Sequence, residues 1–523
     1  MHTIPTQKSL AVVIILLFLG TAIIPSTAQN IEKSPSESRG HWLYVGGGGP
    51  GNYSIIQDAV DNASAGDTVF VYHDSSPYNE NIVINTTLTL LGENQTTTQL
   101  DGRKDSHTIT VNAPQTVISG FTITQPSDSF DSYDIFLKSG NSTIIGNILI
   151  SNRGVSCPHA RVHSYIAGNT FRCQYAFNII SVEDWIIQNN TLQSTFLSAV
   201  HVKRVIITNN FMVDFDLLLS GDANAIINNT VVGESSHHGS IQVTGGTNND
   251  VVGNRLFKSC FSLRPEALGV LANNTVNNKP FVLLNREHGV VVEGAGQVAC
   301  YNCNNITVKN LTIFDVDVGI YLEHVTNSTF ENNSFDDCGS CFYWTCENCR
   351  FFNNTMNHSQ LGAGIQGNHS VFKFNTFNYD SSGLFSYGLY DDDEYNTFIG
   401  SSVTFGAPLG LFAHNIVQNC SVGIDVWAGG GTVRDNTIQN CQTGIKVGTT
   451  YGITFSHNNF LNNHLDAKFM NAFLLHWEEN YWGRPLFRPK IIPGYFTFWY
   501  ILIPWINVDW HPAKEPYDIP RMR

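Results

Sequence analysis

The sequence predicts an all-β protein, a single right-handed parallel β-helix of about 16–17 coils with a short N-terminal capping helix and an aromatic C-terminal cap. The first of the observations behind this is a repeated I-x-N-N-T-[apolar] unit. Its closing apolar residues run Ile123, Ile150, Phe171, Leu192, Met212 and onward through Phe377, Phe398, Val417 and Ile438 to Phe460, mostly 19 to 22 residues apart. A period of that size fits either a leucine-rich repeat or one coil of a parallel β-helix. The second observation decides between them. Each unit holds short alternating runs of Ile, Val, Phe and Thr separated by Gly, Asn and Ser, and has neither the fixed Leu pattern nor a helical half. The third is physical: one such unit cannot bury its apolar face alone, but units stacked about 4.8 Å apart bury a continuous column. The Asn before each T-[apolar] pair suits a tight corner, and its amide is placed to bond the equivalent Asn one coil on.

Taken in order, residues 1–28 carry Lys8, the apolar run Leu10–Ile24 and the small residues Ser26-Thr27-Ala28, the pattern of an export signal. Residues 29–41 read as a linker. In 42–81, "YSIIQDAVDNASAGDTVFVY" sets Ile55, Ile56, Ala59 and Val60 on one face of a short helix, expected to cover the open edge of the first coil. The run Gly46–Gly49 lacks the Lys-Ser/Thr of a phosphate loop. Coils are expected over 82–464, and residues 465–523, with five of the nine tryptophans, form the C-terminal cap. Within that cap, 491–508 is apolar, but Pro493, Gly494 and Pro504 argue against a spanning helix; cap packing and membrane or partner contact both stay open.

The entry segment, the segment "NKPFVLLNREHGVVVEGAGQVACYNCNNITVKNLTI", the "DNTIQNCQTGIKV" repeats and the terminal "ENYWG" together resemble the right-handed parallel β-helix repeat proteins of prokaryotic envelopes. That group has a pectin-lyase-like fold and includes NosD-type periplasmic proteins and carbohydrate-binding and sugar-hydrolase β-helix proteins. The resemblance implies the fold over residues 42–483; it does not single out an activity, because such repeats encode a scaffold.

Composition narrows the function. A formal net charge of −15 with 28 Lys and Arg excludes a nucleic-acid partner as an expectation. Eleven cysteines raise disulfides, but Cys338, Cys420 and Cys441 share one coil position, which favours stacked buried thiols. Cys338-x-x-Cys341 and Cys346-x-x-Cys349 leave a zinc site or a redox pair open. No cofactor is expected, except that Asp391, Asp393 and Glu394, in a run read as a solvated acidic turn, are weak calcium candidates.

Register places Tyr321 and Glu323, Tyr343 and Thr345, Gln366, Phe385 and Tyr387, Thr404, Asp425 and Trp427, and Lys446 on the outer face of one sheet. Rings alternating with polar groups suit an extended glycan, so Tyr321, Glu323, Tyr343, Gln366, Tyr387 and Trp427 are the candidate substrate-binding residues. The same rings packed under a neighbouring loop would be purely structural. Asp425, Lys446 and Asp392 are weak catalytic candidates, and His201, Lys203 and Arg264 form a second nonspecific grouping. The paired Asp and Gly-His-Gly motifs of polygalacturonase-like enzymes are absent. These readings point to an exported cell-surface or envelope protein that binds polysaccharide or serves a structural role. The alternative is a polysaccharide lyase or glycoside hydrolase acting along the same face. A NosD-like periplasmic accessory role, which would need clustered surface His, Met or Cys for copper, is a further alternative; only His237 and His238 are adjacent.

Overall fold

Most turns among the described residues are built from three short strands, each parallel to its counterpart one turn on. A computed structural model describes residues 40–519 apart from 104–105, 127–130, 159–162, 194–195, 235–238, 428 and 499–500. The export-signal segment, the linker up to residue 39, and His237-His238 lie outside the described residues. In a typical turn, Thr307–Lys309 bends at Asn310 into Thr312–Phe314, then through Asp315 into Val318–Thr326. The next turn repeats this, pairing Val308 with Phe330, Ile313 with Phe335 and Ile320 with Phe342. Crossover connections between parallel strands are right-handed, which sets the hand of the coil.

The first strands of successive turns form an 11-stranded sheet from Trp42–Val45 to Leu268–Ala272, and a 10-stranded sheet from Val291–Val292 to His476–Glu478, marking about 20 turns. That exceeds the 16–17 read from the repeat, because turns without the N-N-T corner still pair in register. Trp42–Val45 and Asp67–Val71, in the segment read as a cap, already form two of these strands. The helix Ile56–Asn62 lies among them, burying Ile56, Ala59 and Val60. Its first N–H groups, those of Ile56 and Gln57, donate to the Glu80 carboxylate at 2.9 and 3.0 Å, which anchors the helix N-terminus on a negative charge.

Stacking repeats each core residue type directly above itself. Phe330, Phe351 and Phe372 form one column, the last two with ring centroids 4.3 Å apart, and Phe377 stacks on Phe398 at 4.6 Å. The predicted Asn ladder is present and divides its work between two residues. The first Asn of each corner, such as Asn189 or Asn353, takes the positive φ. The second is buried and bonds along the axis. Asn375, for example, accepts from the backbone N–H and Nδ2 of Asn354, each at 3.0 Å, and donates Nδ2 to the Phe351 carbonyl and to Asn396. The chain Asn333–Asn354–Asn375–Asn396–Asn415–Asn436–Asn458–Asn480 ends on Asp509, whose carboxylate accepts from Asn480 and from the Trp482 indole. A second ladder at the next corner mixes residue types: Cys338, Ser359, Asp380 and Ser401 are linked by side-chain bonds to backbone N–H groups. Cys420 and Cys441 continue that position as buried free thiols, in agreement with the sequence reading.

The final turns end on stacked tryptophans, Trp477 on Phe455 at 4.0 Å and Trp482 on Phe460 at 4.4 Å. An antiparallel hairpin, Lys490–Phe498 with Ile501–Asp509, follows. Two sequence expectations are corrected by register. Leu149, not Ile150, pairs with Ile123 and fills the core, while Ile150 faces out. The acidic run is not a solvated turn: Asp392–Glu394 is a strand of the first sheet, and Asp393 pairs with Phe372 and Phe412 in the aromatic column.

Candidate functional site

The outer face of the third sheet carries the predicted stripe as two adjacent columns. Strand pairing aligns Tyr321, Tyr343, Gly364, Phe385, Thr404, Asp425 and Lys446 in one of them. Six inter-strand steps make this row about 29 Å long. Beside it lie Glu323, Gln366, Tyr387 and Trp427, two residues further along their strands or just past the strand end. Tyr387 and Trp427 are 46% and 43% exposed, so these rings are not packed beneath a loop of the described residues.

Sequence alternation did not reveal Trp344. It pairs with Leu322 and Ile365, both buried, and so occupies an inward register position. Its φ of 100° turns it outward instead, where it is 40% exposed and sits 5.4 Å from the Tyr343 ring. Positive φ at a bulky side chain is strained and concentrates at functional sites. With Tyr343, Phe385 and Tyr387, Trp344 walls an apolar depression of about 260 Å³ floored by Gly364 and edged by Gln366. The depression lies where Gly364, without a side chain, separates the rings of Tyr343 and Phe385 in the column.

Both ends of the row are charged, but internally paired. At one end, Glu323 Oε2 accepts from Arg264 Nη1 at 2.6 Å and from the Tyr321 hydroxyl at 2.7 Å. Burial, and next the bond to Glu323, push the Tyr321 hydroxyl up to about 12. Arg264 also lies over the Tyr301 ring, and Tyr301, Tyr321 and Tyr343 line a second hollow of about 270 Å³ with Gln297 and Cys260. Burial raises the Cys260 thiol far above its ordinary value, which keeps it protonated and a poor nucleophile. At the other end, Asp425 accepts from Lys446 at 2.8 Å, and the ammonium lies over the Trp427 ring. Glu323 and Asp425 stand five strands apart, roughly 24 Å, far beyond the carboxylate separation of any glycosidase.

The other candidates are not brought to this face. Asp391 is buried at a corner, accepting from the Ser370 and Gly388 N–H groups at 2.8 Å each, and burial raises it to about 6. Asp393 is fully buried, and neither of its oxygens has a hydrogen-bond partner among the described residues. Burial holds its carboxyl well above the ordinary range. Glu394 pairs with Lys373 at 2.5 Å. Asp392 and Glu394 point to the face opposite Asp393, so the run cannot converge on one calcium ion. His201 and Lys203 line a separate shallow hollow with Glu183 and Asp222, without Arg264.

Cys346 and Cys349 form a disulfide with a Cα–Cα distance of 6.0 Å, and Cys338 and Cys341 are buried free thiols, so four sulfurs are not available for zinc. Among the described residues no three His, Cys, Asp or Glu side chains converge on a common point.

Residues 266–497 match the family model described as "Periplasmic copper-binding protein (NosD)". No curated protein matches the chain in sequence. Among solved structures, the chain is similar to pectin methylesterase from carrot, at 9% identity over 58% of this chain and 84% of that one, TM-score 0.25. It is also similar to the mannuronan C-5 epimerase AlgE6 A-module of Azotobacter vinelandii (13% identity, 80% and 94% covered, TM-score 0.20). The catalytic domain of a GH87 alpha-1,3-glucanase is a third, at 10% identity, 86% and 68% covered, TM-score 0.21. At these TM-scores none of the three bears on the reading of the site. Among the described residues the copper of the family's description finds no fitting donor set: the free cysteines are buried, no three His, Cys, Asp or Glu side chains converge, and His358 and His457 are engaged separately, by Asp336 and Glu479. The chain is a parallel β-helix protein, and the stretch 266–497, which holds the whole aromatic row, is similar to the NosD family of periplasmic proteins.

Proposed function

We propose that the outer face of the third sheet binds an extended polysaccharide in the cell envelope, without turning it over. The basis is the row aligned from Tyr321 to Lys446, with its depression over Gly364. Aromatic rings present flat apolar faces to the C–H faces of sugar rings, while Gln366 at the edge supplies hydrogen bonds to hydroxyls. A row of about 29 Å spans several sugars, which suits a polymer rather than a small ligand. The periplasmic description of the matched family and the apolar run Leu10–Ile24 support an envelope location.

A binding role is favoured over a lyase or hydrolase by the charges themselves. Arg264 is paired with Glu323 and Lys446 with Asp425, so neither cation is a free base, and the two carboxylates stand too far apart to act on one glycosidic bond. The purified protein should be screened against acidic and neutral polysaccharides, reading retention alongside unsaturated products and reducing ends. Retention that weakens with Trp427→Ala and Trp344→Ala, with no product formed, is the expected result. Product formation abolished by Asp425→Asn would replace binding with catalysis, and absence of both signals would reject a glycan partner.

A further inference from the structure

The C-terminal hairpin carries an apolar surface that the glycan row does not use. Its second strand, Ile501–Asp509, pairs only with Lys490–Phe498 and is an edge strand. The first strand pairs with the third sheet at Gly494 and Tyr495, with further bonds from Lys490 to Asp466 and from the Thr497 N–H to Asn471. Side chains alternate between the two faces of a strand. Nevertheless Ile501, Leu502, Ile503, Trp505 and Ile506 are all exposed, by 43 to 63%. On this second strand both faces are therefore apolar and exposed, whereas on the first strand Ile492 is buried in the core and Phe496 packs against Phe469 and Phe473. Phe473 and Leu474, at 57% and 83% exposed, extend the surface beside the hairpin base, where Phe473 stacks on Phe496.

A protein partner docking on a sheet covers one face. An apolar edge strand exposed on both faces fits a medium that surrounds it, and the boundary of a lipid bilayer is such a medium. Charge supports the same occupant. Between Gly483 and Lys514 the cations are Arg484, Arg488, Lys490 and Lys514, against a single carboxylate, Asp509, which is buried in the Asn ladder. Lys490 is paired with Asp466 at 2.8 Å and Glu515 follows Lys514, which leaves Arg484 and Arg488, just before the hairpin, as the positive charge that anionic headgroups would meet. Tyr495, Trp505 and Trp510 are the residue types that settle at the membrane–water interface. From Gly494 to Phe498 the hairpin extends about 14 Å, enough to reach the headgroup and acyl boundary. Its open backbone edge cannot be satisfied in hydrocarbon, which limits it to that shallow depth, and Pro504 removes one N–H from the exposed edge.

We infer that the hairpin Lys490–Asp509 is an interfacial anchor that seats the β-helix on an anionic lipid surface. The inference is independent of the glycan reading. The test uses residues 41–523, a unit that contains the whole described core and lacks the apolar run Leu10–Ile24. It is floated with vesicles of phosphatidylethanolamine and phosphatidylglycerol, and with vesicles of phosphatidylcholine alone. The expected result is flotation with the anionic vesicles, weaker flotation with the neutral ones, and a fall of about tenfold or more on combining Ile501→Glu with Ile503→Glu. Both positions are exposed, so the variant should melt as the wild type does. Failure of the wild type to float, or equal flotation of the variant, would overturn the inference. So would a concentration-dependent dimer in ultracentrifugation that the same substitutions dissolve without any lipid binding, which would assign the surface to a second copy of the chain.

Discussion

Replacing Gly364 with valine separates the proposed site from the fold. A Cβ at Gly364 would meet only the tip of Leu361, at 2.7 Å, with the Tyr343 ring at 3.9 Å. Leu361 is half-buried and can rotate aside. Removing a glycine from a strand interior gains about 0.5–1 kcal/mol, and a β-branched side chain suits a strand, so net stability should stay within about 0.5 kcal/mol of wild type after Leu361 moves. The valine methyls would occupy the floor of the 260 Å³ depression, where a stacked sugar would otherwise sit. Loss of one such subsite is worth at least about 1.4 kcal/mol, or tenfold in Kd. Gly362, two residues earlier, is the contrast. Its Cβ would meet the Gly383 carbonyl at 2.4 Å and the Phe377 ring at 2.6 Å, both in the packed interior. Gly362→Val should therefore destabilise by about 1–3 kcal/mol or more. Thermal melts and titration calorimetry with the best-retained polysaccharide distinguish the two. Wild-type affinity in Gly364→Val would show that the depression is not the site, and a melt as low as that of Gly362→Val would refute the outward placement of Gly364.

Other expectations follow from the same coordinates. Asn375→Ala removes the acceptor of the Asn354 backbone N–H and of one Asn354 Nδ2 hydrogen, and the side-chain donor to the Phe351 carbonyl, all buried, and should cost about 3–6 kcal/mol in denaturant unfolding; less than 1 kcal/mol would show the ladder to be dispensable. Asp393→Leu should stabilise at pH 8 by about 1–4 kcal/mol, because it replaces an unpartnered buried carboxyl in a phenylalanine column. Burial also raises Asp380 to about 7 and Asp391 to about 6. Because the folded values of Asp380 and Asp391 lie above the unfolded value of about 3.9, their contribution is full below about pH 4 and is lost as pH rises through 6–7, and burial shifts Asp393 in the same direction. Melts of the wild type should thus occur higher at pH 5 than at pH 8, with a smaller difference in Asp393→Leu; a steeper fall towards acid in both would contradict this. Trp344→Gly should melt above Trp344→Ala by about 1 kcal/mol, since glycine accepts the positive φ, while both weaken retention equally. Equal melts would remove the strain argument.

Much of the architecture could be read from spacing because a stacked coil repeats its chemistry at a fixed interval. The outward row from Tyr321 to Lys446 follows directly from that interval, and pairing reproduces it residue by residue. Three features were hidden for identifiable reasons. Trp344 violates alternation through one backbone angle, for which the sequence has no marker. Asp391-Asp392-Asp393-Glu394 looks like a turn by composition, yet Asp393 stands 21 residues after Phe372 and takes its place in the core; the period was the stronger signal. The pairing of Arg264 with Glu323 joins residues across the irregular segment near 276–290, where the repeat lapses and register can no longer be counted. The hairpin, outside the repeat altogether, left its packing open in the sequence, and the two exposed faces of its second strand were visible only in three dimensions.

The most direct measurement is the affinity of a series of oligosaccharides of increasing length, prepared from whichever polysaccharide is retained and titrated calorimetrically. A row of stacked subsites predicts affinity that climbs with each added sugar and levels off once the oligomer spans about 29 Å. Affinity already complete at one or two sugars, or no saturable binding at any length, would contradict a polymer-binding face on the third sheet.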